Sequence, residues 1–229
     1  MAFNKSRKSS TPDIALPALT GKSWPTISRI LCIDESLNDS GAALFVDCVY
    51  QKVIDEESKD NIGLFLTIKK NQSQVFKIIK YFNWVDQMIK DHNPDVVIGE
   101  THPFTRGNLK TSSATLEVMA GIRYITMLAC GLSSVPYVEF STNHVKTIMC
   151  GAPSASKEMV QMILKGCGYD LPVYWGQAQE INGNVCDAIA MGEVICRMQK
   201  QEILRMQYSV VVGPGRSQTQ KRASTKFQG

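Results

Sequence analysis

Apolar residues follow two rhythms along the chain. In the first third they come in short dense runs, at 29–34 (RILCID), 42–54 (AALFVDCVYQKVI) and 63–70 (GLFLTIKK). Runs of this length, rich in Val, Ile, Leu and Phe, predict strands. The acidic stretch DEESKDN at 55–61 predicts a turn between the second and third. Three strands joined this closely predict an antiparallel meander. From residue 72 the rhythm changes. Val75, Ile78, Ile79, Phe82, Val85, Met88 and Ile89 recur at helical spacing, and Asn93-Pro94 ends the pattern, so a helix is predicted over 72–92.

The remainder alternates. A strand is predicted at 95–100 (DVVIGE), a helix with several small residues at 114–132, and a strand at 135–140 (VPYVEF). Ser141-Thr142 offers a cap for the helix that follows, NHVKTIMCG. The segment SASKEMVQMILKGCG opens with a capping pattern, Ser154 followed by Lys157-Glu158, and predicts another helix. A last amphipathic helix is predicted from about 184 to 206, and no internal repeat is visible. The order predicts an α/β fold, a mixed five-stranded sheet combining a three-strand antiparallel meander with parallel strands, flanked by helices.

A chain of 229 residues suits one domain with a sizeable core. We assign residues 28–208 to that domain, 1–27 to a basic flexible N-terminal segment and 209–229 to a basic flexible tail. No apolar stretch reaches the roughly 18 residues of a membrane span. The polar start has no signal-like core, so secretion is not expected. Seven scattered cysteines form no CxxC pair, and there are three histidines. That pattern fits reduced, buried thiols better than a zinc site. Net charge is +4 and gathers at the ends, with Lys5, Arg7, Lys8, Lys22 and Arg29 at one and Arg216, Lys221, Arg222 and Lys226 at the other. Such ends are either solvated tails or electrostatic contacts to a nucleic acid.

Asp34 and Glu100 each end a buried strand, and Asp187 lies early in the last helix, with Asn184 one turn before it. Open α/β sheets place their sites at that edge. One acid after a strand is most often a turn former. Three brought together repel one another and call for a cation. Hard oxygen donors without His or Cys select Mg²⁺ or Mn²⁺. Two such ions can clamp the attacking and leaving oxygens of an in-line phosphoryl displacement.

These pieces resemble the RuvC Holliday junction resolvases of the ribonuclease H-like superfamily. The resemblance runs from about Arg29 to Met198. CIDESLNDSGAALF is similar to the family's first strand, PDVVIGE to the strand carrying its second acid, and ATLEVMAGIRYI to the next helix. HVKTIMCGAPSASKEMVQMIL and NVCDAIAMGEVIC are similar to its last two segments. The resemblance implies a metal-dependent, structure-selective endonuclease that resolves four-way (Holliday) junctions by paired symmetric hydrolysis, with two ions per site and a homodimer through the helix at 114–132. It implies that Asp34, Glu100 and Asp187 are catalytic metal ligands, with Asn184 at the position of a fourth. An uncharged Asn departs from the family's usual Asp or His, and Asn182 is an alternative donor. It also implies that Lys146 is catalytic and DNA-facing, that Lys157 contacts DNA, and that Phe104, with Arg106 and Lys110, meets bases at the junction centre. The rival readings are a broader branched-DNA or flap nuclease and a junction-binding protein with little or no catalysis. An actin-like ATPase needs two such domains and a longer chain.

Overall fold

The computed structural model describes residues 15–19, 21–101, 113–174 and 177–212. After a short 3₁₀ turn at Trp24–Thr26 come β1 (Arg29–Asp34) and β2 (Asp39–Val46), which pair antiparallel. β3 (Val49–Tyr50) and β4 (Leu64–Thr67) then share the outer edge of β2, β3 against Phe45 and Val46 and β4 against residues 39–42. After α1 (Gln74–His92), β5 (Val96–Glu100) returns beside β1 in parallel. α2 (Ser113–Leu132) leads to β6 (Tyr137–Phe140), parallel to β5. Next come α3 (Thr142–Cys150), α4 (Lys157–Gly166), a small hairpin of β7 (Val173–Tyr174) and β8 (Gln177–Ile181), and the long α5 (Gly183–Val212).

The mixed sheet and its flanking helices are as expected, but among the described residues the sheet has six strands, not five, and there are local differences. The single strand expected over 42–54 breaks in two. Asp47 and Cys48 take φ of 50° and 60°, the left-handed pair that turns a tight hairpin, and no Asn-Gly or Asp-Gly announces it. The helix α4 is capped by Ser156, not Ser154: the Ser156 hydroxyl accepts from the Met159 N–H at 3.3 Å. The N-terminal segment expected to be flexible up to residue 27 is tied down earlier. Trp24 and Ile27 are buried, and Gln199 Nε2 donates to both of their carbonyls at 2.6 and 2.7 Å. The helix α5 continues to Val212, past the expected start of the tail. Of the described cysteines, Cys167 is exposed, so the expectation of buried thiols fails there.

Strand alternation sorts the core into two layers. Ile30, Cys32, Val96 and Ile98 face α5. Leu31, Ile33 and Val97 face α1 and α2. The close seat of α5 depends on small residues. A β-carbon at Gly192 would overlap the ring of Phe45, which is fully buried. Gly192→Ala is therefore expected to cost about 1–3 kcal/mol by overpacking, read as a lower midpoint in urea unfolding. An unchanged midpoint would show that the ring swings aside freely.

Candidate active site

The register of the parallel pair brings the first two acids together. Ile33 lies beside Gly99, so one step on, Asp34 and Glu100 stand side by side where both strands end. Their positions match the parity of Cys32 and Ile98, so both carboxylates belong to the α5 side. Gly41 pairs with Asp34 across the antiparallel ladder. It lacks a side chain at the point where the first turn of α5 lies on the sheet; a β-carbon there would collide with the backbone of Asn184 and Val185. The first turn of α5 is thereby held against β2, and Asp187 follows one turn later.

Asp34, Glu100 and Asp187 line one pocket, with Lys146 and Thr142 of α3 on its wall and Val145, Val160 and Met191 beneath. Lys157 Nζ pairs with Asp187 Oδ2 at 2.7 Å. The Thr142 hydroxyl donates to Glu100 Oε1. Ser141-Thr142 was expected to supply a helix cap, yet Ser141 makes no capping hydrogen bond and Thr142 serves the acid instead.

The electrostatics are those of crowded carboxylates. Burial lifts the Asp34 carboxyl well above the ordinary range, and the charges of Asp187 and Glu100 push it the same way, with a proton shared toward Glu100. Burial also raises Asp187, against the pull of Lys157. Burial opposes the charge on Lys157, but its contact with Asp187 and the charges of Asp34 and Glu100 outweigh that and hold the ammonium above its usual value.

Among the described residues, no three His, Cys, Asp or Glu side chains stand at mutual ligand spacing around one point. The donor chemistry nevertheless fits a hard divalent cation: three carboxylates share one pocket, burial and its neighbours' charges make a bare negative charge on Asp34 costly, and the Lys157 ammonium already pairs with Asp187. Asp34, Glu100 and Asp187 are the residues that would hold it.

Asn184 is placed differently. Its Nδ2 donates to the Asp39 carbonyl at 2.6 Å, and it is not among the pocket's lining residues. Asp39 in turn accepts from Tyr174 Oη at 2.8 Å and Thr67 Oγ1 at 3.0 Å. Asn184 thus helps pin the start of α5 to β2, β4 and β7. Asn182 Oδ1 accepts from the Val185 N–H at 3.2 Å, which makes it a cap for α5. Phe104, Arg106 and Lys110 lie outside the described residues.

Sequence reasoning missed Glu35. It follows Asp34 by one position, so alternation turns it to the α1/α2 side, where it is buried. Tyr137 Oη donates to its Oε1 at 3.3 Å, and Gly99 makes room for that phenol ring. Burial pushes the Glu35 carboxyl up to about 7, against the hydroxyls of Thr126 and Tyr137, which pull it down. A raised acid means that the folded state binds more protons than the unfolded one between about pH 4.5 and 7, so stability falls as pH rises through that window. The loss is on the order of 3 kcal/mol if the whole shift is realised. Glu35→Gln is expected to remove this slope and to melt above the wild type at about pH 8, with little difference near pH 4.5. Parallel melting curves at all pH values would contradict the assignment.

The sequence matches the model of one family, crossover junction endodeoxyribonuclease RuvC, over residues 30–196. No curated protein matches it in sequence. Solved structures share the fold, among them the following. Thermus thermophilus RuvC aligns at 15% identity and TM-score 0.50, covering 76% of this chain and 96% of that one. T. thermophilus RuvC in complex with a Holliday junction substrate aligns at 13% and 0.51 with the same coverage. The yeast mitochondrial Holliday junction resolvase Ydc2 aligns at 13% and 0.52, covering 82% of this chain and 85% of that one.

Proposed function

The chain belongs to the crossover junction endodeoxyribonuclease RuvC family, and we propose that it resolves four-way DNA junctions by paired, symmetric, divalent-metal-dependent hydrolysis of phosphodiester bonds. The observation that carries this reading is the pocket in which Asp34, Glu100 and Asp187 meet beside Lys146. Divalent cations, Mg²⁺ or Mn²⁺, supply charge neutralisation and water activation there when bound. The protein's own groups do the rest. Asp34 and Glu100, fixed on the ends of two neighbouring strands, set the position of the bound charge. Thr142 orients Glu100 through its hydroxyl. Lys146 lends a positive charge to the scissile phosphate and to the negative charge that develops on it. Lys157 pairs with Asp187 and would be free to face the DNA backbone if a cation took its place.

Symmetric cutting of a four-armed substrate requires two sites related by a two-fold axis. The helix α2 supports a homodimer, because Tyr124, Leu128 and Leu132 form an exposed apolar stripe at i, i+4 and i+8, with Met127 beside it. Substrate choice then rests on branch geometry and phosphate contacts.

The test is a labelled four-way junction incubated with the protein and Mg²⁺ or Mn²⁺. Matched nicks on opposing strands are expected, with no cutting under a chelator. The uncharged Asn184 motivates the alternative of a junction binder with weak catalysis. Tight binding without cutting in either metal would favour that alternative, and flaps cut much faster than junctions would favour a general branched-DNA nuclease.

A further inference from the structure

A second cavity opens at the same edge of the sheet, on the opposite side of β1. It measures about 440 Å³ and lies between the loop after β1 and the first half of α2. Leu37, Val118, Met119 and Ile122 give it apolar walls, and Asn38 and Glu35 give it polar points. Glu35 is only 3% exposed, and while its Oε1 takes the Tyr137 hydroxyl, its Oε2 has no hydrogen-bond partner. The Thr126 hydroxyl is near enough to lower the Glu35 carboxyl, but it donates to the Ile122 carbonyl at 3.2 Å and lies 2.9 Å from Tyr81 Oη, so Oε2 stays unmatched.

The loop that roofs this cavity is braced. Ser40 Oγ donates to the Ser36 carbonyl and accepts from the Ser36 N–H at 3.1 Å. Lys77 Nζ donates to Asn38 Oδ1 at 2.7 Å and to the Lys70 carbonyl at 2.9 Å. A preformed, mostly apolar hollow with one buried acceptor left over is built like a ligand site. Leaving a buried carboxyl oxygen unmatched is costly, so a donor is called for.

We propose that this cavity receives one unpaired nucleobase of the bound branched DNA, its faces against Leu37 and Met119 and one of its N–H groups on Glu35 Oε2. This rests on the junction-nuclease reading above. Every base offers a flat apolar face and an N–H on its pairing edge. Asp34 lines the carboxylate pocket and Glu35, the next residue, lines this cavity, so the two meet at the end of β1 and one strand engaged at the acids is close to both. Branch points are also where unpairing a base is cheapest. A base held here fixes the strand's register against the acids, which makes Glu35 and Met119 specificity-determining residues.

The experiment uses the full chain and four-way junctions carrying 2-aminopurine singly at each position flanking the crossover, with Ca²⁺ in place of Mg²⁺ to hold the complex. Binding is expected to raise the fluorescence about two-fold or more at one position, as the base leaves its stack. Glu35→Ala and Met119→Trp, checked for folding by circular dichroism, are expected to abolish that rise and to weaken junction binding about ten-fold, the size of one lost base contact. Failure to prefer the junction over a duplex of equal length would overturn the functional reading and this proposal together. Normal binding and cutting with no fluorescence change at any position would overturn the cavity proposal alone. So would a rise that survives both substitutions, since the unstacked base then lies elsewhere.

Discussion

Asp34→Asn is expected to abolish strand cleavage while leaving junction binding within about three-fold of wild type. The substitution keeps the shape of the side chain and removes one charge from the centre of the carboxylate cluster. Removing one preorganised electrostatic contribution at a reacting phosphate typically costs about 10²–10³ in rate. Here the cost is expected to reach at least 10³, because the charges of both Asp187 and Glu100 act on Asp34, and its loss would weaken the hold of the cluster on a cation. Binding is carried by lysines and by branch shape, which the substitution leaves alone. The same change relieves the repulsion that burial and the neighbouring acids impose on Asp34. The metal-free variant is accordingly expected to melt above the wild type, and added Mg²⁺ is expected to stabilise it less. Single-turnover cleavage, gel-shift titration and thermal melts with and without metal read the three effects. A variant that cuts at the wild-type rate would remove Asp34 from the site.

Leu128→Glu is expected to turn a dimer into monomers and to uncouple the two cuts. Leu128 is 56% exposed, and Tyr124 and Leu132 flank it one turn either way at 59% and 69%. Apolar stripes of this kind on a helix mark a protein interface. About a two-fold axis, the two new carboxylates meet across the same patch. Like charges placed there cost several kcal/mol, so the dimer is expected to weaken about 100-fold or more. Sedimentation velocity measures the assembly. A supercoiled plasmid with an extruded cruciform measures the coupling, since paired cuts linearise it and unpaired cuts leave nicked circles. A dimer that persists in Leu128→Glu would move the interface away from α2.

How much of this was legible beforehand depends on the kind of signal. The sheet was legible because β1 and β5 are buried on both faces and read as continuous apolar runs, and because α1 repeats at helical spacing. The pairing of Asp34 with Glu100 was legible because both end such runs. The break at Asp47 and Cys48 was not, since neither residue advertises a left-handed turn; tertiary pairing imposes it. The contacts of Asn184 were hidden for a related reason. Its partner is a main-chain carbonyl 145 positions away, and no pattern of side chains encodes a backbone acceptor. Glu35 carried a signal that went unused. Two adjacent acids at a strand end must point to opposite faces, so the second had to be accounted for as soon as the first was assigned.

The route by which Asp187 reaches its partners has a consequence for folding. The two strand-borne acids come from the early and middle parts of the polypeptide, while the third rides on the last described helix, whose first turn must settle over a side-chain-free spot on β2. Such distant segments find one another late in folding, since ring closure over long stretches is slow. Until that first turn has docked, the folding chain therefore holds two of the three acids in place and lacks a complete cutting centre.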